Sequence, residues 1–179
     1  MLGTADAMYS DGHRYRPLVA AFTSPALKPY LQSVRKVLVL GTGLASAVHV
    51  LHRYGYHPHF TLVEIDELVL EWSMEFLPAD HLQHVSPVHA DAFTFIAEDT
   101  GVYDLVIVDI FFGREVPERV TQQEFLQQCK ARLGPKGRLV LNFMVNRPEE
   151  EAKVKTALKE VFTELTEISF GINKVYIVC

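Results

Sequence analysis

Val37-Leu38-Val39-Leu40-Gly41-Thr42-Gly43-Leu44-Ala45-Ser46 is the stretch on which the fold turns. Four apolar residues without a polar break, stopped by glycine, predict a strand buried on both faces, as in parallel sheets flanked by helices. Helical spacing follows through Ala45, Val48, Leu51 and His52, and Gly55 ends it. Phe60-Thr61-Leu62-Val63 then predicts a second strand, closing in Glu64-Ile65-Asp66. Strand, helix and strand in that order form a crossover unit, so the two strands lie parallel.

The alternation continues outward. Asp66 caps a helix carrying Leu68, Val69, Trp72 and Phe76 on one stripe. A weaker strand covers Val85 to His89, and a short helix runs from Ala92 to Ala97. Leu105-Val106-Ile107-Val108 is the fourth strand, ending at Asp109. Thr121 and Glu124 have the spacing of a capping box, which predicts a helix through Leu133. Gly134, Pro135 and Gly137 break it before a strand from Arg138 to Phe143. Pro148 and three glutamates suit the start of a helix reaching about Phe162. Glu164 to Phe170 and Asn173 to Cys179 are separated only by Gly171-Ile172. So short a link cannot cross a sheet, so the last two strands form an antiparallel hairpin. Before the first strand, residues 1–16 are polar and turn-rich, with Tyr9 and Tyr15 as hints of packing. A helical stretch from Leu18 to Tyr30 is interrupted at Ser24-Pro25. The expected division is an N-terminal lid or helical extension, residues 1–34, and an α/β domain, residues 35–179, with helices on both faces of a mostly parallel seven-stranded sheet.

Composition narrows the function. With 179 residues, 49% hydrophobic and 22% charged, the chain fits one ordinary domain. Its 17 Lys and Arg against 22 Asp and Glu give a formal charge of -5. That balance argues against nucleic acid or an anionic membrane as the main partner, since both require a basic face. Two cysteines, Cys129 and Cys179, make no disulfide framework and fit a reducing compartment. No apolar run approaches the roughly 20 residues that span a bilayer. Residues 1–16 lack a signal pattern, so a cytoplasmic location is expected.

Ligands of open α/β sheets bind beyond the carboxyl ends of the strands. Here those ends carry Gly41-Thr42-Gly43, Glu64, Asp91-Ala92, Asp109 and Asn142. Glycines after the first strand admit a ligand to the backbone, and a helix N-terminus follows with free N–H groups. Glu64, 21 residues past Gly43, is placed to accept hydrogen bonds from ribose hydroxyls; the bland alternative is a tight turn and a helix-capping acid. The third glycine of the dinucleotide fingerprint is replaced by Ser46, which together with the terminal hairpin disfavours a nicotinamide cofactor. Asp91 either accepts from an adenine amino group, with Ile65 against the ring, or N-caps the helix before Phe93. Asp109 either orients an acceptor or caps the neighbouring loop. Phe111 and Phe112 either line an acceptor pocket or are covered by residues 1–16 or a second subunit, a homodimer through Ile110 to Phe112 being the form the last takes. His13-Arg14-Tyr15-Arg16 is either a basic, aromatic lid for an acidic acceptor or a leader. His49 and His52 lie at helical spacing with His57 and His59 nearby, but neither a cysteine nor an acid completes a ligand set, and no metal is expected. His81, His84 and His89 read as surface or capping residues, and Cys129 as core.

Taken in order, Val37 to Gly43, Leu62 to Asp66, Ala90 to Phe93, Tyr103 to Asp109, Thr121 to Phe125 and Leu133 to Gly137 resemble the spermidine synthase branch of the class I methyltransferase fold. The resemblance covers roughly residues 35–145. It implies a Rossmann-like sheet of strand order 3-2-1-4-5-7-6. It also implies a pocket for S-adenosylmethionine or its decarboxylated form as donor, with Glu64 on the ribose, Asp91 on the adenine and Asp109 near the sulfonium. Gly41, Thr42, Gly43, Ile65 and Ala92 complete the expected binding set, and Asp109 is the expected catalytic residue. This chain departs from the family twice. Leu44 and Ala45 stand where the glycine loop usually has aspartate and glycine. Phe112 stands at the second acid of the family's D-x-x-D-P motif. An amine acceptor is cationic at neutral pH and must lose a proton to attack, so Phe112 favours methyl transfer to a small-molecule nucleophile over aminopropyl transfer to putrescine. The alternative is a module that binds the adenosyl nucleotide without turnover.

Overall fold

In chain order the helices are α1 (Arg16–Thr23), α2 (Lys28–Leu31), α3 (Ser46–Arg53), α4 (Glu67–Glu75), α5 (Ala79–Leu82), α6 (Ala92–Glu98), α7 (Gln123–Ala131) and α8 (Pro148–Val161). The strands of the main sheet are β1 (Lys36–Leu40), β2 (His59–Glu64), β3 (Val85–His89), β4 (Tyr103–Val108), β5 (Leu133–Met144), β6 (Leu165–Phe170) and β7 (Asn173–Val178). The computed structural model describes residues 12–179, apart from the side chain of Phe170, and the backbone of residues 2–3 and 8–10. Leu2–Gly3 pairs with Met8–Ser10 in a small antiparallel ladder. The packing of Tyr9, and any cover that residues 1–11 give the Phe111-Phe112 loop, lies outside the described residues.

The apolar run of β1 divides between two cores. Leu38 and Leu40 face one, Val37 and Val39 the other. Side chains of a strand point alternately to opposite faces, so such a run is satisfied only where helices cover both. On the first face Ile96 of α6, Phe125 and Leu126 of α7, and Val154 and Leu158 of α8 meet the sheet. On the second, Leu18 and Phe22 of α1, Leu31 of α2, and Val48 and Leu51 of α3 do so. The residues before β1 are therefore packed on the sheet from α1 onward. Asp104 ties the entry of β1 to β4, its Oδ2 accepting from the N–H groups of Arg35 at 2.7 Å and Lys36 at 3.0 Å.

The sheet runs β3-β2-β1-β4-β5-β7-β6, the expected order. The pairings from β3 through β5 are parallel, whereas β7 is antiparallel to both β5 and β6. Strand order reverses between β1 and β4, which opens a crevice at their carboxyl ends. The turn after β1 has almost no room there. A Cβ on Gly41 would stand 2.5 Å from the Asp109 carbonyl oxygen, and its φ of +86° lies in the left-handed region.

Three local expectations are corrected. Thr121 and Glu124 form no capping box. Thr121 belongs to a 3-10 turn, Glu118–Thr121, and donates its hydroxyl to the Glu118 carbonyl, while α7 starts after Gln122 without a side-chain cap. The run through Gly134, Pro135 and Gly137 does not separate helix from strand. β5 already begins at Leu133, with a register irregularity opposite Tyr103 to Leu105 that absorbs it. Finally, α4 buries Leu70 and Ser73, leaving Leu68, Trp72 and Phe76 exposed. That helix packs on the outer strands β2 and β3, where one narrow face suffices.

A glutamate at the third helical position does cap α8. Glu150 Oε2 accepts from the N–H groups of Asn146 at 2.8 Å and Arg147 at 3.1 Å. Urea unfolding should accordingly show Glu150→Ala losing about 1 kcal/mol and Glu124→Ala less than about 0.5 kcal/mol; an equal loss would restore a capping role to Glu124. Gly41→Ala should lose upwards of about 3 kcal/mol, because its opponent is backbone and the new side chain is strained. A folded variant of near-parental stability would refute that close approach.

Candidate active site

The crevice holds a cavity of about 400 Å³. Its wall takes Gly41 and Gly43 from the end of β1, Glu64 and Ile65 from β2, Asp91 and Ala92 from the start of α6, and Asp109 from β4. Every residue expected in the site thus lines one space except Thr42, which is buried and donates its hydroxyl to the Val63 carbonyl at 3.2 Å. Ile110, Phe111, Phe112 and Gly113 close the remaining side with a mainly apolar loop.

Glu64 is the most heavily bonded of these groups. Oε2 accepts from the N–H groups of Thr42 at 3.0 Å and Gly43 at 3.1 Å. Oε1 accepts from those of Ile65 at 3.0 Å and Asp66 at 3.2 Å. One carboxylate therefore holds both the glycine loop and the chain entering α4. Asp66 then caps α4, accepting from Leu68 and Val69. Asp91 plays the capping part foreseen for it, its Oδ1 accepting from the Thr94 N–H at 2.8 Å, while its residue also faces the cavity. Ala45 enters α3 at φ 55°, a left-handed conformation that costs a residue with a Cβ about 1 kcal/mol.

Asp109 belongs to a polar network that sequence reading did not assemble. Its Oδ1 accepts from Asn142 Nδ2 at 2.8 Å and from the Tyr15 hydroxyl at 3.2 Å. Asn142 Nδ2 also lies 3.0 Å from the Tyr15 oxygen. Burial pushes the Asp109 carboxyl up to about 6, against the pull of the two hydrogen bonds and with help from the charge of Glu64. Burial and the same carboxylate raise the Tyr15 phenol, so it stays a donor. Asn142 was visible as a strand-end residue. Tyr15 was not, because its partner lies 94 residues away and no local pattern connects them.

Phe112 is 63% exposed and sits on a tight turn, its backbone exchanging hydrogen bonds with that of Glu115. It also lines a second cavity of about 730 Å³, walled by Glu115, Thr121, Phe143 and Asn146 among others. Two spaces therefore adjoin across one aromatic ring. Two carboxylates of the second are paired with cations, Glu118 with Lys153 at 2.5 Å and Glu150 with Arg147 at 2.8 Å, while Glu115 and Glu149 line it as well.

The raised Asp109 value has a checkable sign. A carboxyl that holds its proton more tightly folded than unfolded stabilises the fold at low pH, and that contribution is lost as pH rises from about 4 through about 6. Asp109→Asn should therefore gain on the parent protein in denaturant stability over that window and run parallel to it above. Curves parallel throughout would show that Asp109 titrates normally.

Comparison with known proteins agrees with this geometry. The model of the spermine/spermidine synthase domain matches residues 17–177. The polyamine aminopropyltransferase of Clostridium botulinum (strain Alaska E43 / Type E3) is 31% identical over 148 residues, 80% of this chain and 51% of the relative. That of Clostridium perfringens (strain SM101 / Type A) is 33% identical over 134 residues, 72% of this chain and 47% of its own. The chain thus spans about half the length of these relatives. Among solved structures, a probable spermidine synthase from Corynebacterium glutamicum superposes with a TM-score of 0.76 at 21% identity, covering 95% of this chain and 65% of that one. Human methyltransferase-like protein 13, in complex with SAH, gives 0.72 at 23% identity, covering 93% and 80%. At such identities these two likenesses bear on the fold, which is that of class I methyltransferases, whereas the domain match spans nearly the whole sequence: the chain belongs to the spermine/spermidine synthase family.

Proposed function

We propose that the cavity at the ends of β1, β2, β3 and β4 binds an adenosyl sulfonium donor, and that the protein transfers its methyl group to a small-molecule nucleophile. The observation that carries this reading is the meeting of Gly41, Gly43, Glu64, Ile65, Asp91 and Asp109 on one space of about 400 Å³, a size suited to a nucleoside-sized ligand. The residues fit that ligand. Backbone approaches the space at Gly41, and Ile65 offers an apolar face to a base. Glu64 and Asp91 supply acceptors for hydroxyl and amino protons. The donor supplies an activated carbon on sulfur. The protein's part is alignment and exclusion of water, which Ile110, Phe111 and Phe112 provide.

Asp109, held by Tyr15 and Asn142, orients an acceptor N–H or O–H. With a value of about 6 it is ionised above that pH and can take up a proton there. Turnover accordingly rises through about pH 6. The aminopropyltransferase relatives support a donor of this class. Against aminopropyl transfer stands Phe112, an exposed aromatic where a second carboxylate would receive the proton of a cationic amine. A second reading, binding without turnover, is favoured by Glu64, whose two oxygens already serve four backbone N–H groups, and by Leu44 in the glycine loop. The two free thiols fit a reducing, cytoplasmic setting. Among the described residues no helix is long and apolar enough to cross a membrane.

Calorimetry with S-adenosylmethionine, its decarboxylated form and NAD, followed by mass spectrometry of products, tests this. Glu64→Gln should weaken S-adenosylmethionine at least about tenfold, roughly 1.4 kcal/mol, and also lower the melting temperature, because an amide nitrogen cannot accept from the two N–H groups one carboxylate oxygen now serves. Unchanged affinity removes the ribose assignment. Putrescine with the decarboxylated donor should yield no spermidine, and robust formation would reinstate aminopropyl transfer.

A further inference from the structure

The outer flank of the sheet carries charge of one sign. Histidines aside, every charged residue between Arg53 and Arg114 is acidic, from Glu64 to Asp109. Helix α4 lies on that flank, over β2 and β3. It buries Leu70 and Ser73 and leaves Leu68 59%, Trp72 44% and Phe76 61% exposed. At intervals of four residues these three side chains form one row along the helix. Glu67, Glu71 and Glu75, all exposed, form a second row beside it at the same intervals. Among the described residues no cation pairs with these glutamates. A single exposed apolar residue is ordinary, whereas three in register beside a row of one charge mark a contact face.

The two rows indicate what covers the face. The apolar row spans about 12 Å along the axis, which suits one helix laid alongside. The acidic row beside it selects a helix whose apolar stripe is edged by lysine or arginine. A second copy of this chain does not supply one. Helix α4 holds no lysine or arginine, so two copies packed through it leave both glutamate rows without a cation. Lys153 and Lys155 of α8 are already engaged, the first by Glu118 and the second by Glu151 and Glu167. The formal charge of -5 opposes self-association as well. An anionic membrane is repelled by the same sign.

We propose that α4 is the docking face for a basic amphipathic helix of a partner protein, its apolar stripe on Leu68, Trp72 and Phe76 and its cations on Glu67, Glu71 and Glu75. The face is formed before the partner arrives, because Asp66 caps the helix and Leu70 anchors it, so binding spends little on ordering this side. Asp66 and Val69 also line the strand-end cavity, which places the partner beside its mouth. Docking itself requires no ligand in that cavity.

The test uses the full chain without nucleotide. The probe is a synthetic peptide of about 18 residues with leucines at helical spacing flanked by lysines, beside a counterpart with glutamates in place of the lysines. Trp72 is the single tryptophan, so its emission reports on the face directly. The lysine peptide should shift that emission to the blue, with an affinity that falls as salt rises, and the glutamate peptide should leave it unchanged. Leu68→Gln and, separately, Phe76→Gln should weaken the lysine peptide at least about tenfold and melt like the parent, since both side chains are exposed. Glu71→Lys with Glu75→Lys should abolish its binding and admit the glutamate peptide. The same change of charge elsewhere, Glu98→Lys with Glu160→Lys at exposed positions of α6 and α8, should leave binding intact. Unshifted Trp72 emission or an equal loss in the Glu98 and Glu160 variant would overturn the proposal. So would a dimer of this chain that Leu68→Gln dissolves, which would assign the face to a second copy. Donor binding is read separately by calorimetry, so neither result depends on the other.

Discussion

Four backbone N–H groups, those of Thr42, Gly43, Ile65 and Asp66, converge on the carboxylate of Glu64. Loops at strand ends carry donors that no ladder satisfies, and a half-buried carboxylate meets four of them at once. This interaction fixes the glycine loop after β1 against the end of β2. It also sets where Asp66 can cap α4. The cavity has its floor because that loop cannot rise. Gly41 completes the arrangement from the other side, since only a residue without a Cβ lets the turn pass the Asp109 carbonyl.

Asp109 is the second fixed point, and it depends on distant chain. Tyr15 precedes α1, and Asn142 is on β5, yet both donate to the same carboxylate oxygen. The packing of Leu18 and Phe22 on the sheet is what brings Tyr15 there. Tyr15, just ahead of that helix, thus serves the electrostatics of the site, because its hydroxyl and the Asn142 amide moderate the rise that burial imposes on Asp109. The other strand ends stay more open. Phe112 divides the strand-end cavity from a larger one in which Glu118 and Glu150 are paired with cations.

The parts that were legible in sequence share one cause. Val37 to Leu40 and Leu105 to Val108 are apolar without interruption, which only a doubly covered strand tolerates. Gly171-Ile172 is too short for anything but a hairpin. These signals are local, and chain geometry converts each into topology without further information. The strand-end rule then ranked Gly41, Glu64, Asp91 and Asp109 together, and one cavity holds them. Where local signals competed, the reading failed. Thr121 and Glu124 had a cap's spacing, but a 3-10 turn took Thr121 first. Leu68, Trp72 and Phe76 had a helix's spacing, but the sheet edge accepts Leu70 and Ser73 instead.

By itself the sequence determined the parallel sheet, its terminal hairpin and the acids and glycines at the strand ends, because period and loop length act between near neighbours. Tertiary structure alone decided that Tyr15 and Asn142 hold Asp109, that Glu64 spends its oxygens on two loops, and that His81 meets His49 and His52. Those meetings join residues that no pattern relates, through packing of α1, α3 and α5. Burial is a property of the assembled core, and it is burial that raises Asp109 and lowers His52.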